Sequence, residues 1–135
     1  MATTHLKNYI DGRWVDSTSG DAFEDTDPAN GDVIATATKS TTADVDRAVE
    51  AARRAYDSWR LMPAPKRGEI LYRAGEIMLD RKDDLAREMT LEMGKVLAES
   101  KGDVQEGIDM TYYIAGEGAA SSAMSFPRSC PTNGP

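Results

Sequence analysis

Residues 9–60, YIDGRWVDSTSGDAFEDTDPANGDVIATATKSTTADVDRAVEAARRAYDSWR, decide the fold, because the spacing of apolar residues changes within them. The first part reads as strands. Asn8-Tyr9-Ile10 and Arg13-Trp14-Val15 flank Asp11-Gly12, and Asp-Gly between apolar runs is a strong hairpin signal. Ser17 to Asp21 is turn chemistry. Phe23 to Asp27 predicts a short strand, and Asp27-Pro28-Ala29-Asn30-Gly31-Asp32 predicts the turn after it. Val33 to Thr38 predicts another strand. From Thr42 the period lengthens to that of a helix: Val45, Ala48, Val49, Ala52, Ala55, Tyr56 and Trp59 share one stripe over 42–60. Asp46, Arg47, Glu50, Arg53 and Arg54 lie outside that stripe. Thr41 or Thr42 can cap the start, and Asp44 suits the first turn.

Three more helices follow. Pro63 and Pro65 break the chain, and Pro65 suits a first helical position. The second helix carries Ile70, Leu71, Ala74, Ile77 and Met78 on one face. Asp83-Asp84 opens a third, with Leu85, Met89, Met93, Val96 and Leu97 expected to face inward and Gly94 expected to end or kink it. A fourth, from about Ser100, carries Val104, Ile108, Tyr112 and Ala115. The expected class is α/β: a short β-hairpin region followed by four amphipathic helices. So few strands offer those helices little sheet to cover, so the chain reads as an incomplete domain.

Bulk properties narrow the function classes. At 135 residues the chain is one domain at most, with a net charge of −7. All 23 acidic side chains and 15 of the 16 basic ones lie in the first 118 residues. A surplus of acid argues against nucleic acid, whose phosphates need clustered Lys and Arg, and against an anionic membrane surface. The opening MATTHLKNYIDGRW has no apolar core of a secretory signal, and no apolar run approaches the ~18 residues of a membrane span. A single cysteine, Cys130, excludes an internal disulfide framework and fits a reducing compartment, so a cytoplasmic location is expected.

Local motifs supply no active site. Gly94-Lys95 would need Gly at 89 and Ser or Thr at 96 to make a phosphate loop, and the residues there are Met89 and Val96. Gly102, Gly107, Gly116 and Gly118 follow no strand in a dinucleotide pattern, so helix packing is their expected role. His5, the only histidine, lies in a terminus expected to fray, far from Cys130, and the two cannot build a zinc site. Cys130 has no histidine near it to activate the thiol. Glu99, Asp103, Glu106 and Asp109 repeat at helical spacing, which could serve acid–base chemistry; with nothing apolar around them, a solvated face is expected. The expected catalytic, cofactor-binding and metal residues of this chain are none.

The order of the motifs nevertheless resembles the opening of the aldehyde dehydrogenase superfamily. The hairpin Tyr9-Ile10-Asp11-Gly12-Arg13-Trp14 comes first, then Asp27-Pro28-Ala29-Asn30-Gly31 with its Val-Ile-Ala strand. Asp44-Val45-Asp46 follows, leading into Ala48-Val49-Glu50-Ala51-Ala52-Arg53. Pro65-Lys66-Arg67, Leu91-Glu92-Met93-Gly94-Lys95 and Tyr112-Tyr113-Ile114-Ala115-Gly116 complete the series. The resemblance covers residues 8–118 and implies the N-terminal part of a cofactor domain. It implies NAD or NADP as the full-length enzyme's cofactor, an aldehyde as its substrate and a homo-oligomer as its assembly. In that family a cysteine thiolate attacks the aldehyde, a hydride passes to the nicotinamide, a glutamate activates water and an asparagine amide holds the oxyanion. None of these residues, nor the main cofactor contacts, falls within this chain, so no cofactor is expected to bind it. One family feature, a monovalent cation site, would map to Asp25, Thr26 and Glu92; glutamate at 92 replaces a common aspartate, and a polar packing cluster is an equal alternative. A non-enzymatic helical interaction or regulatory module is the alternative to a truncated dehydrogenase.

Beyond Gly118 the composition changes: 17 residues carry one charge, Arg128, and three prolines. Codons can be chosen for AASSAMSFPRSCPTNGP so that one added cytosine regroups them to RRLFGDVVPSELPNKWA, which resembles the family's continuation. The expected organisation is a disordered 1–7, a dehydrogenase segment over 8–118, and a disordered, out-of-frame 119–135 containing Cys130.

Overall fold

The computed structural model describes residues 4–124, with side chains through Gly118. Five short strands precede four helices: β1 (Thr4–Leu6), β2 (Asn8–Ile10), β3 (Arg13–Val15), β4 (Ala22–Thr26), β5 (Val33–Thr38), α1 (Thr42–Leu61), α2 (Ala64–Asp80), α3 (Lys82–Met93) and α4 (Leu97–Met124). The mixed α/β class and the order of elements agree with the sequence reading.

The hairpin forms where Asp-Gly predicts it. Asp11 and Gly12 both take positive φ (54° and 74°), the twist that lets two strands close through a two-residue turn. The pairing Asn8↔Val15, Tyr9↔Trp14 and Ile10↔Arg13 sets the two aromatic rings on one another, centroids 4.9 Å apart. The second sheet has the order β1-β5-β4, with β4 antiparallel to β5 and β1 parallel to it. Its β4–β5 turn is built by side chains: Asp27 Oδ1 accepts the Ala29 N–H at 2.8 Å and Asn30 Oδ1 accepts the Asp32 N–H at 2.8 Å.

Strand β1, Thr4–Leu6, falls within the 1–7 stretch expected to be disordered. Thr4, His5 and Leu6 pair with Ala35, Thr36 and Ala37. The strand is exposed along its length, so no alternation of apolar residues announces it. It is held by edge pairing and by His5, whose Nδ1 lies 3.0 Å from Thr36 Oγ1 and whose Nε2 lies 2.9 Å from Asp16 Oδ1.

The helices start and stop for local reasons. Asp44, three residues after the N-cap Thr41, accepts the Thr41 backbone N–H at 2.9 Å, which anchors the start of α1. The end of α1 is closed by Arg67 of α2, whose Nη1 donates to the carbonyls of Trp59 and Met62 at 3.3 and 3.1 Å. Pro65 sits in the first turn of α2. Gly94, at φ 69°, stops α3 in the left-handed conformation that a Cβ disfavours, and its N–H bonds the Thr90 carbonyl at 2.9 Å. Helix α4 begins at Leu97, three residues ahead of expectation, and continues through Met124. Helix α4 thus includes 119–124, at the start of the stretch expected to be disordered; residues 125–135, with Cys130, lie outside the described residues.

The core lies among helices rather than between helix and sheet. Ala86, Val104 and Ile108 are buried, with Met78, Leu85, Met89 and Tyr112 packed on them. Helices α2 and α4 approach closely: a Cβ on Gly68 would stand 2.6 Å from the Ala115 carbonyl oxygen. The fourth helix thus buries the face expected of it. The first does not. Val45, Val49, Tyr56 and Trp59 are 45–61% exposed, and of the apolar residues of α1 only Ala51 is buried. Ile70 and Ile77 are exposed as well, and so are Met93, Val96 and Leu97, against the inward placement expected of those three. Among the described residues, twenty-one large apolar side chains are exposed and six apolar residues are buried, so the apolar patterning is far from satisfied within this chain.

Candidate functional site

The best-organised polar cluster joins the loop after β3 to the start of α1. Asp44 is 2% exposed and accepts from the Ser17 hydroxyl at 2.6 Å, the Thr18 N–H at 3.2 Å, and the Thr41 N–H and hydroxyl, each at 2.9 Å. The Ser17 hydroxyl, followed by the Thr41 N–H, holds the Asp44 carboxyl well below the usual range, outweighing the opposing effect of burial. Ser17 in turn gives its own N–H to Thr38 Oγ1 at 2.8 Å, tying the cluster to β5. With every oxygen of Asp44 occupied by protein donors, this carboxylate is a joint and not an acid or base for substrate.

The other candidates are dispersed. Glycine 94 and Lys95 stand at the C-terminal end of α3, where exposed carbonyls repel a phosphate, and Lys95 is paired with Asp103. Gly102, Gly107 and Gly116 lie inside α4 and follow no strand. These residues do not fit a dinucleotide, which needs glycines opening a helix after a strand. His5 bridges Thr36 and Asp16, so the terminus expected to fray is anchored; Asp16 is held low first by the Lys7 ammonium and then by His5. On α4, Glu99, Asp103, Glu106 and Asp109 are exposed, with Asp109 accepting from Gln105 Nε2 at 2.8 Å.

Asp25 and Thr26 close β4 and Glu92 lies near the end of α3. These regions approach one another, since Pro28 packs so near Gly94 that a Cβ there would stand 2.8 Å from its Cγ. The side chains of Asp25 and Glu92 nevertheless form no hydrogen bond or ion pair with other described residues, and Glu92 is exposed. Among the described residues, no group of three or more His, Cys, Asp or Glu side chains could hold a metal ion.

One cleft went unread in the sequence. A space of about 500 Å³ between the hairpin and α1 is lined by Asp11, Arg13, Arg47, Glu50 and Arg54. Arg54 spans it, 3.4 Å from Asp11 and 3.8 Å from Glu50. The cleft holds no Ser, Thr, Cys, Lys or His, and its two acids, Asp11 and Glu50, are engaged by its own Arg54. Helical periodicity signals only one element at a time, so a cleft between a hairpin and a helix had no sequence signature.

Comparison with known proteins decides what such a scaffold belongs to. Residues 14–133 match the model of the aldehyde dehydrogenase family. The chain belongs to that family. The aldehyde dehydrogenase segment is 46% identical over 113 residues to a malonate-semialdehyde dehydrogenase 1 of Bacillus licheniformis, covering 82% of this chain and 23% of that protein. It is 43% identical over 118 residues to an alpha-ketoglutarate semialdehyde dehydrogenase of Haloferax volcanii, covering 87% of this chain and 24% of the relative. Its fold superposes on an NAD-dependent aldehyde dehydrogenase from Sinorhizobium meliloti with a TM-score of 0.82 at 30% identity, covering 86% of this chain and 24% of that one. An NADP-dependent enzyme of E. coli superposes equally, at 38% identity, covering 84% of this chain and 24% of its own. The aldehyde dehydrogenase segment therefore spans about a quarter of the length of the relatives it matches. No helix among its described residues is long and apolar enough to cross a membrane.

Proposed function

We propose that this chain is the N-terminal segment of a cytoplasmic, homo-oligomeric, NAD(P)-dependent aldehyde dehydrogenase, and that alone it oxidises no aldehyde. In the whole enzyme the reaction takes an aldehyde, water and oxidised nicotinamide to a carboxylic acid, reduced nicotinamide and a proton. The observation that carries the reading is the family match over residues 14–133 in a chain that spans only 23% of its B. licheniformis relative. The dispersed polar side chains support the inactivity of the segment, because Asp44 is saturated by protein donors and Cys130 has no histidine neighbour in sequence. The names of the relatives make semialdehydes, which carry a second, acidic end, the first substrates to assay.

The experiment grafts residues 8–118 in place of the matching segment of the B. licheniformis relative. It then follows reduced nicotinamide with malonate semialdehyde and either NAD or NADP. The graft should turn over and the 135-residue chain should not. Sustained turnover by the chain alone would overturn the proposed inactivity.

The same reading takes residues 119–135 as translated out of frame. The family match and α4 both run past Gly118, so this part rests on the codon regrouping alone. Sequencing the gene across codon 118 tests it: a shifted frame that encodes no dehydrogenase refutes it.

The closed core at Ala86, Val104 and Ile108 favours a contrasting reading, a small interaction module that folds by itself. That module would show a cooperative thermal transition, whereas the segment reading expects a loose or aggregating chain.

A further inference from the structure

We propose that the outer stripe of α1 is a docking seam for the part of an aldehyde dehydrogenase chain that these residues do not match, and that it takes that part even when supplied as a separate polypeptide. The proposal rests on the segment reading above. The stripe has the form of a helix-packing seam. Val45, Val49, Ala52, Tyr56 and Trp59 recur at alternating steps of four and three, which keeps them in line over about 21 Å of helix. None of the five is buried, although two are aromatic.

The seam is also held in place before anything covers it. Asp44 fixes one end of α1 to the loop after β3, and Arg67 fixes the other end to α2. A pre-positioned apolar face loses little conformational freedom on binding, which favours association between separate chains.

Two observations select the occupant. The solved chains that superpose at a TM-score of 0.82 devote 24% of their length to this arrangement, leaving three quarters to cover its open faces. A second copy of this chain is the poorer fit, because each copy carries a net charge of −7 and pairing would bring like charges together. Charges flank the seam in both signs, Asp46 and Asp57 beside Arg53 and Arg60, suiting a rim around an apolar contact.

The test co-expresses the full 135-residue chain with the B. licheniformis relative lacking its matching segment, next to the covalent graft. The expected result is a one-to-one complex that oxidises malonate semialdehyde. Val49→Asp or Trp59→Arg in the 135-residue chain should weaken the complex more than ten-fold, while Arg53→Lys on the flank leaves it intact. Val49 and Trp59 are half exposed, so circular dichroism of each variant should match the parent chain. The proposal is overturned if the graft is active but the separate chains do not associate or the remainder stays insoluble. It is equally overturned if the complex survives both substitutions, or if the chain pairs with itself through the seam. An inactive graft would remove the segment reading itself, and this proposal with it.

Discussion

The Ser17 hydroxyl donates to Asp44 Oδ2 at 2.6 Å, joining the loop after β3 to the first turn of α1 across 27 residues of chain. Because folding depresses the Asp44 pKa below its ordinary 3.8, the carboxylate stabilises the fold fully above that value. The stabilisation is lost as pH falls below it, toward the folded-state pKa. Hydrogen exchange at the Thr18 and Thr41 amides, which both donate to Asp44, should therefore accelerate below about pH 4 beyond the chemical pH dependence of exchange. In Asp44→Asn these amides should exchange fast already at neutral pH, and that extra acid dependence should vanish.

Two glycines in helices give opposite predictions. Alanine is a better helix former than glycine by about 1 kcal/mol. At Gly102 a new Cβ meets nothing within 4 Å, so Gly102→Ala should raise helicity and thermal stability. At Gly68 the Cβ would stand 2.6 Å from a backbone oxygen of α4, and backbone yields only if the helices separate. Gly68→Ala should therefore lower stability, read in the covalent graft by the midpoint of the ellipticity change on heating.

Ile108 is 1% exposed at the centre of the helical core. Ile108→Ala removes buried area and leaves a cavity, at a cost of about 2–5 kcal/mol. For a core this small that is most of the stability available. The variant should lose much of its helical ellipticity without heating, whereas Ile70→Ala, at a half-exposed site, should retain it.

The hairpin, the β4–β5 turn and all four helices were legible because each is dictated locally: Asp11-Gly12 by its backbone freedom, Gly94 by its left-handed cap, Val104 and Ile108 by helical spacing. What escaped was decided at a distance. Strand β1 has no apolar alternation and depends on edge pairing with β5. Spacing placed Val45, Val49, Tyr56 and Trp59 on one stripe correctly, but it could not say whether anything within this chain covers them. The dehydrogenase resemblance was legible from the order of the motifs, which the family match over residues 14–133 bears out.

The exposed apolar surface predicts a simple solution property. An environment-sensitive apolar dye should bind the 135-residue chain strongly, with fluorescence well above that of the covalent graft at equal concentration. Equal signals would mean that the graft leaves the same faces bare.

The most direct measurement is aldehyde-dependent formation of reduced nicotinamide by the covalent graft, with the 135-residue chain assayed beside it. Turnover by the graft at a rate comparable to the intact relative, with none by the chain alone, is the predicted result. A soluble, folded graft that binds nicotinamide but oxidises no semialdehyde would contradict the account.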